Sequence, residues 1–200
     1  METIKVRVTF LEEVLGMSSA DKNIHETYIA SKAPDAKSTA EEVEAVGVEE
    51  VVKEQTTIFP RDKEGNLIFW DYQMKGFFKD TCGMLRKVAK TKCSKITAYK
   101  KVIDGLLFPQ PRMIPIHLPE GETIGNCQRP LRASTPQGER IALANSETIP
   151  AGSYIEFSID CFTPDVVEMV TECLDYGKYR GMGQWRNSGK GRFEWHLITE

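Results

Sequence analysis

The C-terminal quarter of the chain constrains the fold most, because it predicts a strand, a helix and another strand in close succession. Apolar and polar residues alternate from Tyr154 to Cys161, which is the pattern of a half-buried strand. The tripeptide Thr163-Pro164-Asp165 then predicts a helix start, with a capping hydroxyl, a proline at the first helical position and a carboxylate. A second alternating stretch at 192–198 predicts the last strand. Such a succession requires a sheet that buries one face against helices.

The remainder of the chain adds strands and helices in no regular alternation. Residues 4–10 alternate as a strand, residues 56–70 resemble a hairpin, and residues 72–88 carry apolar side chains at the three- and four-residue spacing of a helix. We therefore predict an α+β protein with a ferredoxin-like (RRM-like) βαββαβ core, insertions and a C-terminal glycine-rich loop. The predicted organisation is a single domain over 1–200, with an acidic insertion around 33–55 and an irregular insertion around 109–140.

Charge is distributed unevenly along the chain. The formal net charge of −3 argues against a protein that coats nucleic acid over its whole surface. Residues 38–54 are strongly acidic, whereas residues 72–101 and 177–195 are strongly basic. A mildly acidic total therefore leaves room for a local basic face.

Several classes of protein are disfavoured by what the sequence lacks. No run approaches the roughly 18 apolar residues of a membrane span. The 5 cysteines are odd in number, scattered, and include no C-x-x-C pair, which argues against a disulfide framework or a zinc knuckle. We expect a soluble, cytoplasmic protein with no membrane partner, no metal site and no cofactor.

The segment with the clearest chemistry is a glycine-rich basic loop between the last helix and the last strand. Glycines permit positive φ and a close approach of backbone amides to an anion. Arginine and lysine side chains add phosphate contacts, and a tryptophan offers a stacking face for a base. A flexible helix–strand connection with a tight turn is the alternative. The candidate RNA-binding residues of the loop are Gly181, Gly183, Trp185, Arg186, Gly189, Lys190, Gly191 and Arg192.

Two segments resemble the RAMP superfamily of CRISPR-associated RNA-binding proteins. The pattern G-x-G-x₅-G-x-G-x-aromatic, from Gly181 to Phe193, is similar to the glycine-rich loop of that superfamily. Residues 70–80, Trp-Asp-Tyr-Gln-Met-Lys-Gly-Phe-Phe-Lys-Asp, resemble the segment that opens the main helix of its backbone-forming subunits, although its usual proline and serine are missing. The resemblance touches both ends and the centre of the chain, and it extends to proteins encoded by prophages.

The resemblance implies a non-catalytic protein that binds single-stranded RNA or a nucleotide ligand. The loop would hold phosphates, and Lys75, Lys79 and Arg86 would extend the basic track if they share its face. Trp185 or Trp70 would stack on a base. The partners implied are RNA and the subunits of a CRISPR-type effector complex.

Two further functions remain open from the sequence. A phage-encoded anti-defence protein would obstruct a CRISPR effector or sequester a nucleotide signal, with the acidic segment imitating nucleic acid. A metal-independent endoribonuclease would use a histidine to transfer protons at the 2′-hydroxyl and at the leaving oxygen. His25, with Tyr28 nearby, is the candidate catalytic pair for that reaction.

Overall fold

The computed structural model describes residues 1–19, 57–135 and 138–199, with the backbone alone at 131–135 and 139–142. The described strands are β1 Glu2–Phe10, β2 Val14–Leu15, β3 Ser18–Ser19, β4 Thr57–Ile58, β5 Ile68–Trp70, β6 Leu107–Gln110, β7 Met113–His117, β8 Gly125–Thr135, β9 Gly138–Ile149, β10 Tyr154–Cys161 and β11 Phe193–Leu197. The described helices are α1 Asp71–Leu85, α2 Lys92–Lys95, α3 Tyr99–Leu106 and α4 Pro164–Arg180.

Backbone packing divides the chain into two compact units, of which the first carries the ferredoxin-like core. It comprises Met1–Val14, Pro60–Thr123 and Ile149–Glu200. Its sheet runs in the order β11, β1, β10, β7, β5, and β6 also pairs with β10. The pairs of β1 with β10 and β11, and of β10 with β6 and β7, are antiparallel. With β6 and β7 together as the second core strand, this is the βαββαβ order 4-1-3-2, and the predicted fold class is confirmed.

The core of this unit lies between the sheet and its helices. Val6, Val8 and Phe10 of β1 are buried, and the helices contribute apolar side chains from the opposite side. Phe193 meets Phe10 edge-on at a centroid distance of 6.2 Å and Phe77 of α1 at 5.4 Å. Because a buried aromatic side chain contributes about 1.5–3 kcal/mol through apolar burial, this cluster ties the last strand to the first helix.

Sequence periodicity located the long helices well. The helix predicted over 72–88 forms as α1, and the helix predicted from Thr163 forms as α4 with Pro164 at its first turn. The Thr163 hydroxyl nevertheless makes no capping hydrogen bond, so that detail of the prediction is wrong. None of the helices in the described residues is long and apolar enough to cross a membrane.

The second unit comprises Leu15–Phe59 and Ile124–Thr148, and its described residues form another sheet. The strand order is β2, β9, β4, β3, with β8 paired to β9 in a continuous antiparallel register from Gly125↔Thr148 to Thr135↔Gly138. Of the hairpin predicted over 56–70 the turn end forms, because Arg61 and Leu67 make an antiparallel bridge and Ile68 donates its N–H to the Pro60 carbonyl at 2.9 Å. The strands on either side do not pair with each other, since β4 pairs with β3 and β9, whereas β5 pairs with β7. The region predicted to be irregular, 109–140, contains all of β7 and β8 and the start of β9.

The contact between α4 and the last strand is close enough to test by substitution. A Cβ on Gly177 would lie 2.0 Å from the Phe193 ring, whereas a Cβ on Gly76 in α1 would meet nothing within 4 Å. We expect Gly177→Ala to destabilise the protein by about 1–3 kcal/mol through overpacking. Gly76→Ala, the matched control, should stabilise it by about 0.5–1 kcal/mol through helix propensity. Urea unfolding midpoints measure both, and stabilisation by both substitutions would contradict the packing described.

Candidate nucleic-acid interface

The glycine-rich loop is closed at its base by two glycines in backbone contact. Met182 donates its N–H to the Gly191 carbonyl at 2.9 Å, and Gly191 donates to the Glu13 carbonyl at 2.8 Å. A Cβ on Gly191 would lie 1.8 Å from the Met182 oxygen, and one on Gly181 would lie 2.7 Å from the Lys190 oxygen. Both glycines also have positive φ, at +71° for Gly181 and +70° for Gly191. Loop closure itself therefore requires these two glycines.

The tip of the loop exposes backbone amides and an aromatic ring. Trp185 has a left-handed conformation with φ +56°, and a 3₁₀ turn at Arg186–Ser188 follows it. In the part of the chain that the structure describes, the amides of Gly183, Arg186 and Asn187 donate no hydrogen bond. Left-handed followed by right-handed residues direct successive amides to one side, which is the geometry of an anion-binding nest. The Trp185 side chain is 42% exposed beside these amides.

One carboxylate on α1 holds two arginines of the loop region. Asp80 accepts from Nε and Nη2 of Arg180, at 2.8 and 3.1 Å, and from Nη1 of Arg186, at 2.7 Å. Arg180 also donates to the side-chain oxygen of Asn187 at 3.3 Å. Because one negative charge faces two guanidinium groups, this cluster retains a surplus positive charge at the base of the 3₁₀ turn.

The electrostatics of Asp80 follow from these partners. Burial acts to raise the pKa of its carboxyl, but the hydrogen bond from Arg180 and the charges of Arg186 and Arg180 outweigh burial and lower the pKa below its usual value. Asp80 therefore stays ionised at neutral pH, and it links α1 to both α4 and the loop.

The other two loop cations differ from each other. Lys190 forms an ion pair with Glu13, and its charge is thereby balanced. Arg192 is exposed and forms no ion pair with the residues that the structure describes. Its guanidinium lies over Gly189, since a Cβ at that glycine would lie 3.5 Å from the Arg192 Cζ. Arg192 is thus the loop cation whose charge no carboxylate of the described residues balances.

The predicted helix cations lie on another side of α1. Lys79 pairs with Asp104 of α3 at 2.5 Å, and the Lys75 ammonium donates to the Asp104 carbonyl at 3.1 Å. Arg86 lies over the Tyr99 ring at 5.0 Å. Successive helix residues are about 100° apart around the axis, which separates Lys79 from Asp80 by that angle. The structure therefore does not bring Lys75, Lys79 and Arg86 together with the loop.

The histidines do not form a catalytic pair among the described residues. His25 and Tyr28, the predicted catalytic residues, lie outside the described part of the chain. His117 lies on β7 and His196 on β11, with β10 and β1 between those strands. Three strand spacings of about 4.8 Å separate them by about 14 Å, which is too far for both to act on one phosphodiester.

Asp80 and Glu13 are the residues of this site that sequence reasoning missed. Both supply carboxylates, whereas the residues predicted to contact phosphate were cations and glycines. For Asp80 a signal existed, because it is the only acidic residue between Tyr72 and Lys101. A single acid in a basic segment indicates a specific ion pair. Nothing in the local sequence marks Glu13.

Removal of the Asp80 charge tests its role in holding the loop. We expect Asp80→Asn to destabilise the protein at pH 7 by about 1–3 kcal/mol, because two guanidinium groups lose a charged acceptor. Since the folded-state pKa of Asp80 is lowered, its contribution is present above the unfolded-state pKa and lost as the pH falls through the folded-state value. The difference in stability between the wild type and the variant should therefore begin to narrow as the pH falls below the unfolded-state pKa, and it should disappear only below the lowered folded-state pKa.

Asp104→Asn is the matched control for that experiment. The Asp104 side chain is 56% exposed in its pair with Lys79, and exposed pairs contribute at most about 1 kcal/mol. Urea unfolding at pH 7 and at pH 3 measures both variants. Equal losses at pH 7 would show that Asp80 has no special structural role.

Comparison with known proteins identifies a fold and leaves the family open. No protein-family model matches the sequence, and no curated protein matches it. A chain in the cryo-EM structure of the Type III-B Cmr-beta bound to cognate target RNA has a TM-score of 0.52 and 12% identity, with coverage of 98% of this chain and 60% of that one. A chain of a Type IV-B CRISPR Complex has a TM-score of 0.48 and 10% identity, with coverage of 99% and 91%, which is too weak a likeness to support an argument. The present chain, which spans 60% of the length of the Cmr-beta chain, therefore shares an α+β fold with a CRISPR-associated protein.

Proposed function

We propose that this chain is a RAMP-like, non-catalytic RNA-binding protein that holds the phosphate backbone of single-stranded RNA with its glycine-rich loop. One observation carries the proposal: positive charge exceeds negative charge beside backbone amides that have no partner among the described residues. Arg180 and Arg186 share the single carboxylate of Asp80, and Arg192 adds a further charge that forms no ion pair within residues 1–19, 57–135 and 138–199. Phosphate oxygens are the ligands that such amides and guanidinium groups recognise together.

Two cations of the loop are held in place by ion pairs, which supports a binding site that is ordered before a ligand binds. Asp80 and Glu13 hold Arg186 and Lys190 in place before any ligand arrives. A loop that is already ordered loses less conformational entropy on binding. In this arrangement Arg186 contributes a shared charge, Arg192 a full charge, and the amides of Gly183, Arg186 and Asn187 contribute donors to phosphate oxygens.

A base contact completes the proposed interface. Trp185 is exposed next to the same amides, so a nucleotide held by its phosphate would bring its base within reach of the indole. Stacking on an aromatic side chain contributes about 1–3 kcal/mol per base and tolerates any sequence. We therefore expect weak sequence preference at this position.

The structural neighbour supports RNA as the ligand class and an assembly as the setting. The similar Cmr-beta chain belongs to a structure bound to cognate target RNA. We propose that the present chain acts in or against a CRISPR-type ribonucleoprotein, with RNA and subunits of that assembly as partners. A nucleotide ligand would satisfy the same donors, and a comparison of RNA with mononucleotides separates the two.

Arg192→Ala tests the phosphate contact. We expect RNA affinity to fall about 5- to 10-fold, and the slope of log affinity against log salt to decrease by about 0.7, because one phosphate contact is lost. Lys100→Ala is the matched control, since Lys100 is an exposed cation on α3. Fluorescence anisotropy with a labelled single-stranded RNA measures both quantities. Equal behaviour of the two variants would refute the proposed role of the loop.

Trp185→Ala tests the base contact separately from the charge. We expect affinity to fall by about 1–3 kcal/mol while the salt slope stays unchanged, because stacking releases no counterions. Trp185→Phe should retain much of the affinity, because it keeps an aromatic face. The same anisotropy titrations in EDTA, followed by gel electrophoresis, should recover intact RNA. Cleaved RNA would contradict the non-catalytic proposal and favour an endoribonuclease.

A further inference from the structure

The sheet of the first unit has an outer face that the loop does not use. Strand residues alternate between two faces, and Val8 and Ile155 point into the core. Their neighbours Arg7 on β1 and Tyr154 on β10 therefore point away from the core. His117 on β7 also lies on this outer face, directly opposite Tyr154 in the register.

These three side chains form a stack of flat groups across three strands. The Arg7 guanidinium carbon lies 4.5 Å from the centroid of the Tyr154 ring. The His117 ring lies 4.6 Å from the same centroid, at an interplanar angle of 16°. Because β1 and β7 lie on opposite sides of β10, Arg7 and His117 cover opposite faces of Tyr154. His117 is the exposed end of the stack.

The stack is held at its other end by an ion pair. Arg7 donates from Nε to Oε1 of Glu156 at 2.5 Å, and Glu156 is its direct neighbour in the register of β1 with β10. The guanidinium therefore cannot leave the Tyr154 ring without losing a charged hydrogen bond. Tyr154 is fixed between two flat groups, and His117 presents its outer ring face with no further ring contact in the described residues.

We propose that the outer face of His117 is a stacking site for one unpaired RNA base. The inference rests on the proposed function and adds a base subsite distinct from Trp185 and the loop. A base is a planar heteroaromatic group, and it would extend the stack as a fourth layer without rearranging the layers beneath. An ordered stack with one open end favours a planar ligand over a flexible chain, because its rings are already aligned. Unstacked bases of single-stranded RNA are recognised on aromatic side chains in this way.

A direct test observes the imidazole without relying on RNA affinity. The histidine ring signals of ¹³C-labelled protein are followed by NMR during titration with adenosine 5′-monophosphate. The His117 signals, identified by their loss in His117→Ala, should shift upfield through the ring current of the stacked base. Ribose 5-phosphate, which has the phosphate and no base, should leave them in place. His196, an exposed histidine on β11, which is separated from β7 by β10 and β1, should not respond to either compound.

RNA binding provides the second readout. His117→Ala should lower the affinity for single-stranded RNA about 5- to 150-fold with an unchanged salt slope, and His117→Phe should restore it. His196→Ala is the matched control and should bind like the wild type. A stack that only stabilises the sheet would change the unfolding midpoint of His117→Ala and leave RNA affinity intact, which overturns the proposal.

The outcomes separate this inference from the proposed function of the loop. A His117 shift with adenosine 5′-monophosphate, together with RNA affinity that is insensitive to Arg192→Ala, supports the base subsite and contradicts the loop. RNA affinity that depends on Arg192 but not on His117, with no shift of the imidazole signals, contradicts the base subsite and supports the loop. A protein that binds neither RNA nor adenosine 5′-monophosphate contradicts both.

Discussion

The contact on which the candidate site depends is the pair of arginines around Asp80. A single carboxylate on α1 accepts hydrogen bonds from Arg180 at the end of α4 and from Arg186 in the loop. It thereby joins the two helices of the core to the turn that exposes the loop amides. Because the Asp80 side chain is 29% exposed, these charged bonds are only partly screened by water. The loop conformation follows from this cluster together with the glycine contact at the base.

Two kinds of glycine therefore serve the loop in different ways. Gly181 and Gly191 allow backbone strands to meet at distances that no side chain permits, and they close the loop. Gly183 and Gly189 have positive φ within it and set the direction of the neighbouring amides. Loop closure and the orientation of the loop amides thus depend on different members of the same motif.

Local charge, more than net charge, describes the surfaces of this protein. The chain carries a net charge of −3, yet the region around Asp80 and Arg192 has more cations than anions. The helix cations Lys75 and Lys79 were predicted to extend that region if they shared the face of the loop, and both contact Asp104 of α3. The outer sheet face adds a third chemical environment, where Arg7, Tyr154 and His117 form a neutralised, aromatic stack. A basic segment in the sequence is therefore a poor guide to a basic surface.

The sequence by itself determined the core strands, the two long helices and the position of the loop, because hydrophobic periodicity and helix-start residues act over a few neighbouring positions. Tertiary structure decided which strands pair and which charges meet. The pairing of β4 with β9 crosses 89 residues from Thr57 to Ser146, and the ion pair of Asp80 with Arg180 crosses 100. No local pattern encodes such contacts, since they depend on how the packed layers bring distant segments together. The loop was thus visible in the sequence, whereas the carboxylates that hold it became visible only in the folded chain.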